Sequence, residues 1–302
     1  MRANAVIAGV NKAGTTSLFV SLSTHPEVAP AAVKETRYFL PARWGQTLEP
    51  VAVYEAAFAS APVGTPVRIE ATPSYFYGGT AVIDAMHAVC GDELRVMVVL
   101  REPVERFWSF FTFQKARLRI PDDLSVDDYL AHAETLSEAD FHIAENERWF
   151  AFRGGCYADW LPAWHDAFGE HLQVVFFEDL MADPDRVLRD TARFLGIDPD
   201  EFPSTSLASE NRTTGYKRAG LQRVALVFND RFERFLRRHY GLKERLRSAY
   251  YRFNGAARSE QLPSGARAML TARYAEPNAR LGRQLVAMGV TDAPSWCAAP
   301  VD

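Results

Sequence analysis

Cysteine is scarce in this chain: Cys90, Cys156 and Cys297 are the only three in 302 residues, and they lie far apart. They make neither a metal-ligand spacing nor an even-numbered disulfide framework, so a small stapled fold is excluded and a reducing, cytoplasmic setting is expected. Long apolar runs are lacking too. No stretch approaches the ~20 residues of a membrane helix, so no integral membrane segment is expected. The opening MRANAVIAGV is too short for a secretory signal and has no small-residue cleavage site. Positive charge is not in excess. The formal net charge is −4, which argues against a general nucleic-acid binder. Repeats and low-complexity tracts are missing, and none of the seven histidines stands in a recognisable catalytic spacing. His25, before Pro26, closes a short helix, while His87 and His142 fall on expected helices.

What is present is ordinary globular material, 48% hydrophobic and 24% charged, enough for a sizeable core. Ala5 to Ala8 reads as a buried strand, and Thr15 to Thr24 as a helix with Leu18 and Leu22 at helical spacing. A second strand lies within 65–76. Val96 to Leu100 is a continuous apolar run of the parallel-sheet type. Pro103 suits the first turn of a following helix, whose Val104, Phe107, Trp108 and Phe111 share a face. Residues 125–168 read as mostly helical, 172–180 as a strand and 184–196 as a helix ending at Gly196. Residues 204–220 read as a loop, 231–258 as partly helical, and 266–285 as helical patterning broken at Pro277. The alternation predicts an α/β fold: a single domain over 1–302, with a mainly parallel central sheet flanked by helices and a P-loop-like nucleotide-binding architecture.

The first strand runs into GVNKAGTTS. Gly9 and Gly14 frame a phosphate loop, but Thr15 and Thr16 stand where a nucleotide triphosphatase has Lys and Ser or Thr. The lysine is Lys12, inside the loop. Backbone amides at the start of the following helix suit an anion, and Thr15, Thr16 and Ser17 add hydroxyls. The strongest apolar strand ends in Arg101, where a magnesium-dependent phosphoryl transferase wants a carboxylate. The pattern favours an anionic ligand held without metal.

GVNKAGTTSL resembles the 5′-phosphosulfate loop of sulfotransferases that use 3′-phosphoadenosine 5′-phosphosulfate (PAPS), and LREPVERFWSFF is similar to the same family's 3′-phosphate motif. VKETRYF (33–39) resembles the segment that carries the catalytic glutamate in the heparan-sulfate type, with Thr36 and Arg37 in place of the more usual Pro-His. Residues 155–180 resemble the family's Gly-x-Tyr helix and following strand, and YAEPNARL its carboxyl-terminal helix.

The resemblance implies a PAPS-dependent, metal-independent enzyme that leaves adenosine 3′,5′-bisphosphate (PAP). Gly9, Lys12, Ala13, Gly14, Thr15, Thr16 and Ser17 would hold the 5′-phosphate, with Lys12 stabilising charge on the leaving oxygen. Arg101 and Ser109 would hold the 3′-phosphate. Lys217 and Arg218 would reach it from a covering loop, with Tyr216 by the adenine. Arg106 is left as a capping or surface residue. Glu35 is the candidate general base, beside Lys34, which either reaches the sulfuryl oxygens or is simply solvated. Glu70 is its rival or an acceptor-side residue. Tyr38, Phe39 and Tyr75, with other aromatics nearby, would line a site for a small-molecule, lipid or glycan acceptor walled by 36–62 and 114–150. The alternatives are a magnesium-dependent nucleotide kinase of related fold and a non-catalytic nucleotide-binding protein.

Overall fold

The computed structural model describes residues 1–203, 215–216, 255–256 and 261–298. Five strands form one sheet: β1 (Ala5–Gly9), β2 (Val28–Pro30), β3 (Val67–Ala71), β4 (Arg95–Leu100) and β5 (Leu172–Phe176). Their order is β2-β3-β1-β4-β5, and every neighbouring pair is parallel. β1 is buried along its whole length, and β4 from Val96 onward. Continuous apolar strands are what a sheet covered on both faces requires.

Helices complete the crossovers. They are α1 (Thr15–Leu22), α2 (Leu40–Arg43), α3 (Val51–Ala56), α4 (Gly79–Cys90), α5 (Pro103–Ala116), α6 (Val126–Glu134), α7 (Glu138–Phe141), α8 (Leu161–Phe168), α9 (Phe177–Ala182), α10 (Pro184–Leu195) and α11 (Ser264–Ala287). A short antiparallel pair, β6 (Gly215–Tyr216) with β7 (Gly255–Ala256), lies apart from the main sheet. Successive strands after β1 fall on opposite sides of it, β2 and β3 on one and β4 and β5 on the other. The loop after β1 therefore opens at a topological switch point, the usual ligand crevice of open α/β sheets.

Two helices begin at this edge with different chemistry. α1 starts at Gly14 with no side-chain cap, so no side chain of the cap residue occupies its first amides. α5 starts at Pro103, and the Glu102 side chain accepts from the Val104 and Glu105 amides, which closes that N-terminus.

Two expectations are corrected. The strand expected over 172–180 stops at Phe176, and Glu178 and Asp179 belong to α9. Residues 125–168 are mostly helical as expected, in α6, α7 and α8 with short 3₁₀ turns between them. α11 runs through Pro277 without breaking. Proline removes one amide donor and crowds the preceding turn. The helix persists because Leu270, Tyr274, Asn278, Leu281 and Leu285, on both sides of the proline, form one buried stripe. Among the described residues no helix is long and apolar enough to cross a membrane.

Candidate active site

The loop after β1 is held against β4. The Val10 amide donates to the Val99 carbonyl at 2.9 Å, and Arg101 Nη1 donates to the Lys12 carbonyl at 3.1 Å. Lys12 itself has φ +73°, a left-handed conformation that costs a non-glycine residue roughly 1–2 kcal/mol. Its ammonium lies over the Phe113 ring, 4.6 Å from the centroid. The Arg101 guanidinium stacks on Phe177 at 4.5 Å and is 3.9 Å from Glu105. Phe177 is also the ring that a Cβ on Gly14 would strike, at 2.7 Å, and Gly14 has φ +81°. Glycine is needed there for both reasons.

Glu105, Ser109 and Phe113 are four residues apart on α5 and share a face. Arg101 meets that face at Glu105 and Lys12 meets it at Phe113, so Ser109 lies between the two cations. Thr15 and Ser17 are buried in the first turn of α1, and Ala13 is buried beneath the loop. The structure thus brings together Gly9, Lys12, Ala13, Gly14, Thr15, Thr16, Ser17, Arg101 and Ser109 at one end of the sheet.

Glu35 reaches the same edge from the neighbouring strand. Its amide donates to the carbonyl of Ala71, the last residue of β3, at 3.0 Å. Its half-exposed carboxylate lies 3.2 Å from Lys34 Nζ and 3.8 Å from Arg37 Nε. Glu35 and Arg37 both have positive φ, +63° and +58°.

The chemistry gathered here is a set of amide, hydroxyl and cationic donors, with a carboxylate, at the carboxyl ends of parallel strands. A family model described as "Sulfotransferase domain" matches residues 2–218. The chain belongs to that family. Two mouse relatives, heparan sulfate glucosamine 3-O-sulfotransferases 3B1 and 3A1, are each 30% identical over 195 residues, 64% of this chain. Those matches span 46% and 45% of the two relatives, less than half their length. A sulfotransferase structure from Alicyclobacillus acidocaldarius superimposes with a TM-score of 0.69 at 23% identity, covering 98% of this chain and 99% of that one. It has the same fold.

Within this sulfotransferase framework the acceptor-side expectations change. Glu70, Phe39 and Tyr75 have no exposed surface and Tyr38 only 8%. Tyr38, Phe39, Tyr54 and Tyr75 pack ring against ring, with centroids 4.8 to 5.4 Å apart, and the Tyr38 hydroxyl donates to the Glu49 carbonyl. They form an interior layer beneath the site rather than a wall open to a substrate, because large aromatic surfaces are best satisfied by one another. The two segments expected to wall the acceptor do meet: buried Arg43 pairs with Glu147 at 3.4 Å. Arg106 is fully buried, not on the surface. It donates to the Ala151 carbonyl and lies within 6 Å of the Tyr77 and Phe110 ring centroids. Tyr157 is likewise interior, its hydroxyl donating to the Arg101 carbonyl at 2.7 Å. Tyr216 lies in β6, and Lys217 and Arg218 lie outside the described residues.

Sequence reasoning missed the surroundings of Glu70. Its carboxylate accepts from Thr36 Oγ1 at 2.6 Å, Tyr54 at 2.9 Å, Thr72 Oγ1 at 3.0 Å and Tyr75 at 3.3 Å. Burial pushes the Glu70 pKa up, and the four hydroxyl donors oppose that rise. With the folded pKa above the unfolded one, the folded chain holds this proton more tightly. The associated stability is complete below the ordinary carboxylate value and is lost as pH rises through the raised one. Glu70→Gln should remove this component. The stability of wild type relative to the variant should fall as pH rises above the ordinary carboxylate range, read from urea midpoints.

One cluster among the described residues has metal-like spacing, His25, Glu27 and Glu201. Both ring nitrogens of His25 are already engaged, Nδ1 by the Glu27 amide at 3.2 Å and Nε2 with the Asp198 carbonyl at 2.7 Å. The histidine is a structural link between the end of α1 and the segment after α10.

Proposed function

We propose that this chain transfers a sulfuryl group from PAPS to a hydroxyl or amine of a small-molecule, lipid or glycan acceptor, in line and without a metal ion, as one catalytic domain spanning 1–302. The observation that carries the reading is the link between Arg101 and the Lys12 carbonyl, which ties the displaced loop lysine to the cation at the end of β4. The groups present suit this donor. The open N-terminus of α1, with Thr15, Thr16 and Ser17, offers amides and hydroxyls to a 5′-phosphate. Arg101 and Ser109 offer a guanidinium fork and a hydroxyl to a 3′-phosphate, joined from the covering segment by Tyr216, Lys217 and Arg218. PAPS would supply an activated sulfuryl group on a good leaving phosphate.

The chain's own residues do the rest. Glu35 accepts the acceptor's proton as the new bond to sulfur forms. Lys12 balances the charge that develops on the phosphate oxygen as the old bond breaks. Docking of α11 supports the single-domain reading: Arg267 pairs with Glu105 of α5, and Tyr274 and Gln284 donate to the carbonyls of Phe152 and Ala158. The kinase alternative is disfavoured, because Lys12 lies within the loop and the β4 end carries an arginine.

The test is calorimetric titration with PAP in the presence of a chelator. Wild type should bind, and Arg101→Ala should bind about ten- to a hundredfold more weakly, the range for hydrogen bonds to a charged group. A folded wild-type protein that does not bind PAP, or binds it only when a divalent ion is restored, refutes the proposal.

A further inference from the structure

Glu70 has no surface on the crevice, so it touches neither donor nor acceptor in this conformation. Its four hydroxyl partners nevertheless come from four places: Thr36 in the turn after β2, Tyr54 on α3, Thr72 at the end of β3 and Tyr75 just beyond it. Three of those hydroxyls have a second task. Thr72 Oγ1 accepts from the Arg37 amide, Thr36 Oγ1 from the Tyr38 amide and the Tyr75 hydroxyl from the Phe39 amide, each at 3.3 Å. These are the backbone donors of the turn that begins at Glu35.

A hydroxyl has a single proton to give and two lone pairs. An ionised carboxylate is acceptor-only, so it draws each hydroxyl proton toward itself and leaves the lone pairs to the amides. When ionised, Glu70 therefore favours one direction for the hydroxyls that hold the turn, two of which, Thr36 and Tyr75, also lie 3.2 Å from each other. The turn needs holding. Glu35 and Arg37 both occupy the left-handed region, and such strain persists only where the surroundings over-determine it.

We propose that Glu70 is a positioning residue for sulfuryl transfer, fixing the turn of residues 35–39 through the hydroxyls of Thr36, Thr72 and Tyr75 so that the Glu35 carboxylate stands at the carboxyl edge of β3. The proposal rests on Glu35 being the base. A glutamine at position 70 would present an amide donor in place of one acceptor oxygen. Each Glu70 oxygen accepts from two hydroxyls, so two would then face a donor, and each would have to turn its proton away and accept from the new amide beside its other partners.

The experiment joins two measurements on the full chain. Amide hydrogen exchange is followed in the segment 35–39, and sulfate release is followed from radiolabelled PAPS with water as the acceptor. The variants are Glu70→Gln, Thr36→Val and Thr36→Ser, with Thr36→Val also placed in a Glu35→Gln background. Thr36 is half-buried, so its variants keep the test valid if Glu70→Gln fails to fold. Thr36→Val should speed exchange in 35–39 by about tenfold or more and lower the release rate by about tenfold. PAP affinity should stay within about twofold, since the turn lies outside the phosphate loop. Thr36→Ser, which keeps the hydroxyl, should restore both quantities.

In the Glu35→Gln background, Thr36→Val should speed exchange without a further loss of rate, because the turn acts through Glu35. Unchanged exchange in Thr36→Val, a faster exchange with unaltered rate, or a Thr36→Ser as impaired as Thr36→Val overturns the positioning role alone. A Glu35→Gln single variant with the wild-type rate overturns the base assignment, and the positioning role with it.

Discussion

Glu35→Gln should lower the rate of sulfuryl transfer by about 10²–10⁴-fold, the contribution of a positioned general base, with PAP affinity nearly unchanged. Glutamine keeps the size of the side chain and its place on the turn but cannot take a proton from an attacking hydroxyl. The Glu35 amide bond to Ala71 is a backbone contact and survives the change, so the variant should fold as wild type does. A base works only in its deprotonated form, so the wild-type rate should fall on acidification and the variant's residual rate should lose that dependence. Pre-steady-state sulfate release across a pH series, beside PAP titrations, measures both. A Glu35→Gln variant that keeps both the rate and the acid limb assigns the base elsewhere. The buried site of Glu70 makes that residue a poor substitute, since no acceptor reaches it without opening the layer formed by Thr36, Tyr54 and Tyr75.

Lys12→Ala should cost about 10²–10³-fold in the same rate, the effect of removing one preorganised charge from a developing oxyanion. PAP carries the leaving oxygen with its charge fully developed, so the charge that Lys12 is proposed to meet during transfer is present in the product and only partly in PAPS. The loss should therefore appear in the rate and in PAP affinity, with PAPS affinity falling by less than about tenfold. The loop itself should hold, because Arg101 grips the Lys12 carbonyl and not its side chain. A Lys12→Ala variant that loses PAPS binding and rate in equal proportion would make Lys12 an anchor of the ground state instead. Lys12→Arg is an informative companion. It keeps the charge, but a planar guanidinium must find new room beside Phe113, where the ammonium now lies.

The parts of this molecule that were legible in the sequence are those whose physics is local. A buried apolar run, two glycines and a helix start lie within a dozen residues of β1. The β4–α5 unit announces itself by a continuous apolar strand, an arginine and a proline that the first helical turn tolerates. Both were found where the sequence places them. The hydroxyl cage of Glu70 was not legible, because its members come from separate stretches of chain and only the folded β3 edge unites them. Tyr38, Phe39 and Tyr75 were read as pocket lining because an aromatic side chain looks the same in a sequence whether it faces a ligand or another ring. Arg106 was misjudged for the converse reason. A charged residue defaults to the surface, and only tertiary packing supplies the Ala151 carbonyl and aromatic faces that admit it. At Pro277 the local rule yielded to a buried stripe that continues on either side of the proline.

The unlike starts of α1 and α5 have a consequence for which way round a ligand lies. Both helices begin at the same edge of the sheet, and a molecule with a phosphate at each end could in principle be bound in either direction. Glu102 has already claimed the first amides of α5, so its helix dipole is spent on a carboxylate of the chain itself. In the proposed pose one phosphate therefore goes to the backbone donors of α1 beside Lys12, and the other to the guanidinium of Arg101, which Phe177 and the Lys12 carbonyl hold in place. A site of this kind would impose a head and a tail on a nearly symmetrical bisphosphate. The two ends should also differ in their sensitivity to salt. The side-chain cation is screened by added ions, whereas amides that directly bond a phosphate lose less, so rising ionic strength should loosen the tail before the head.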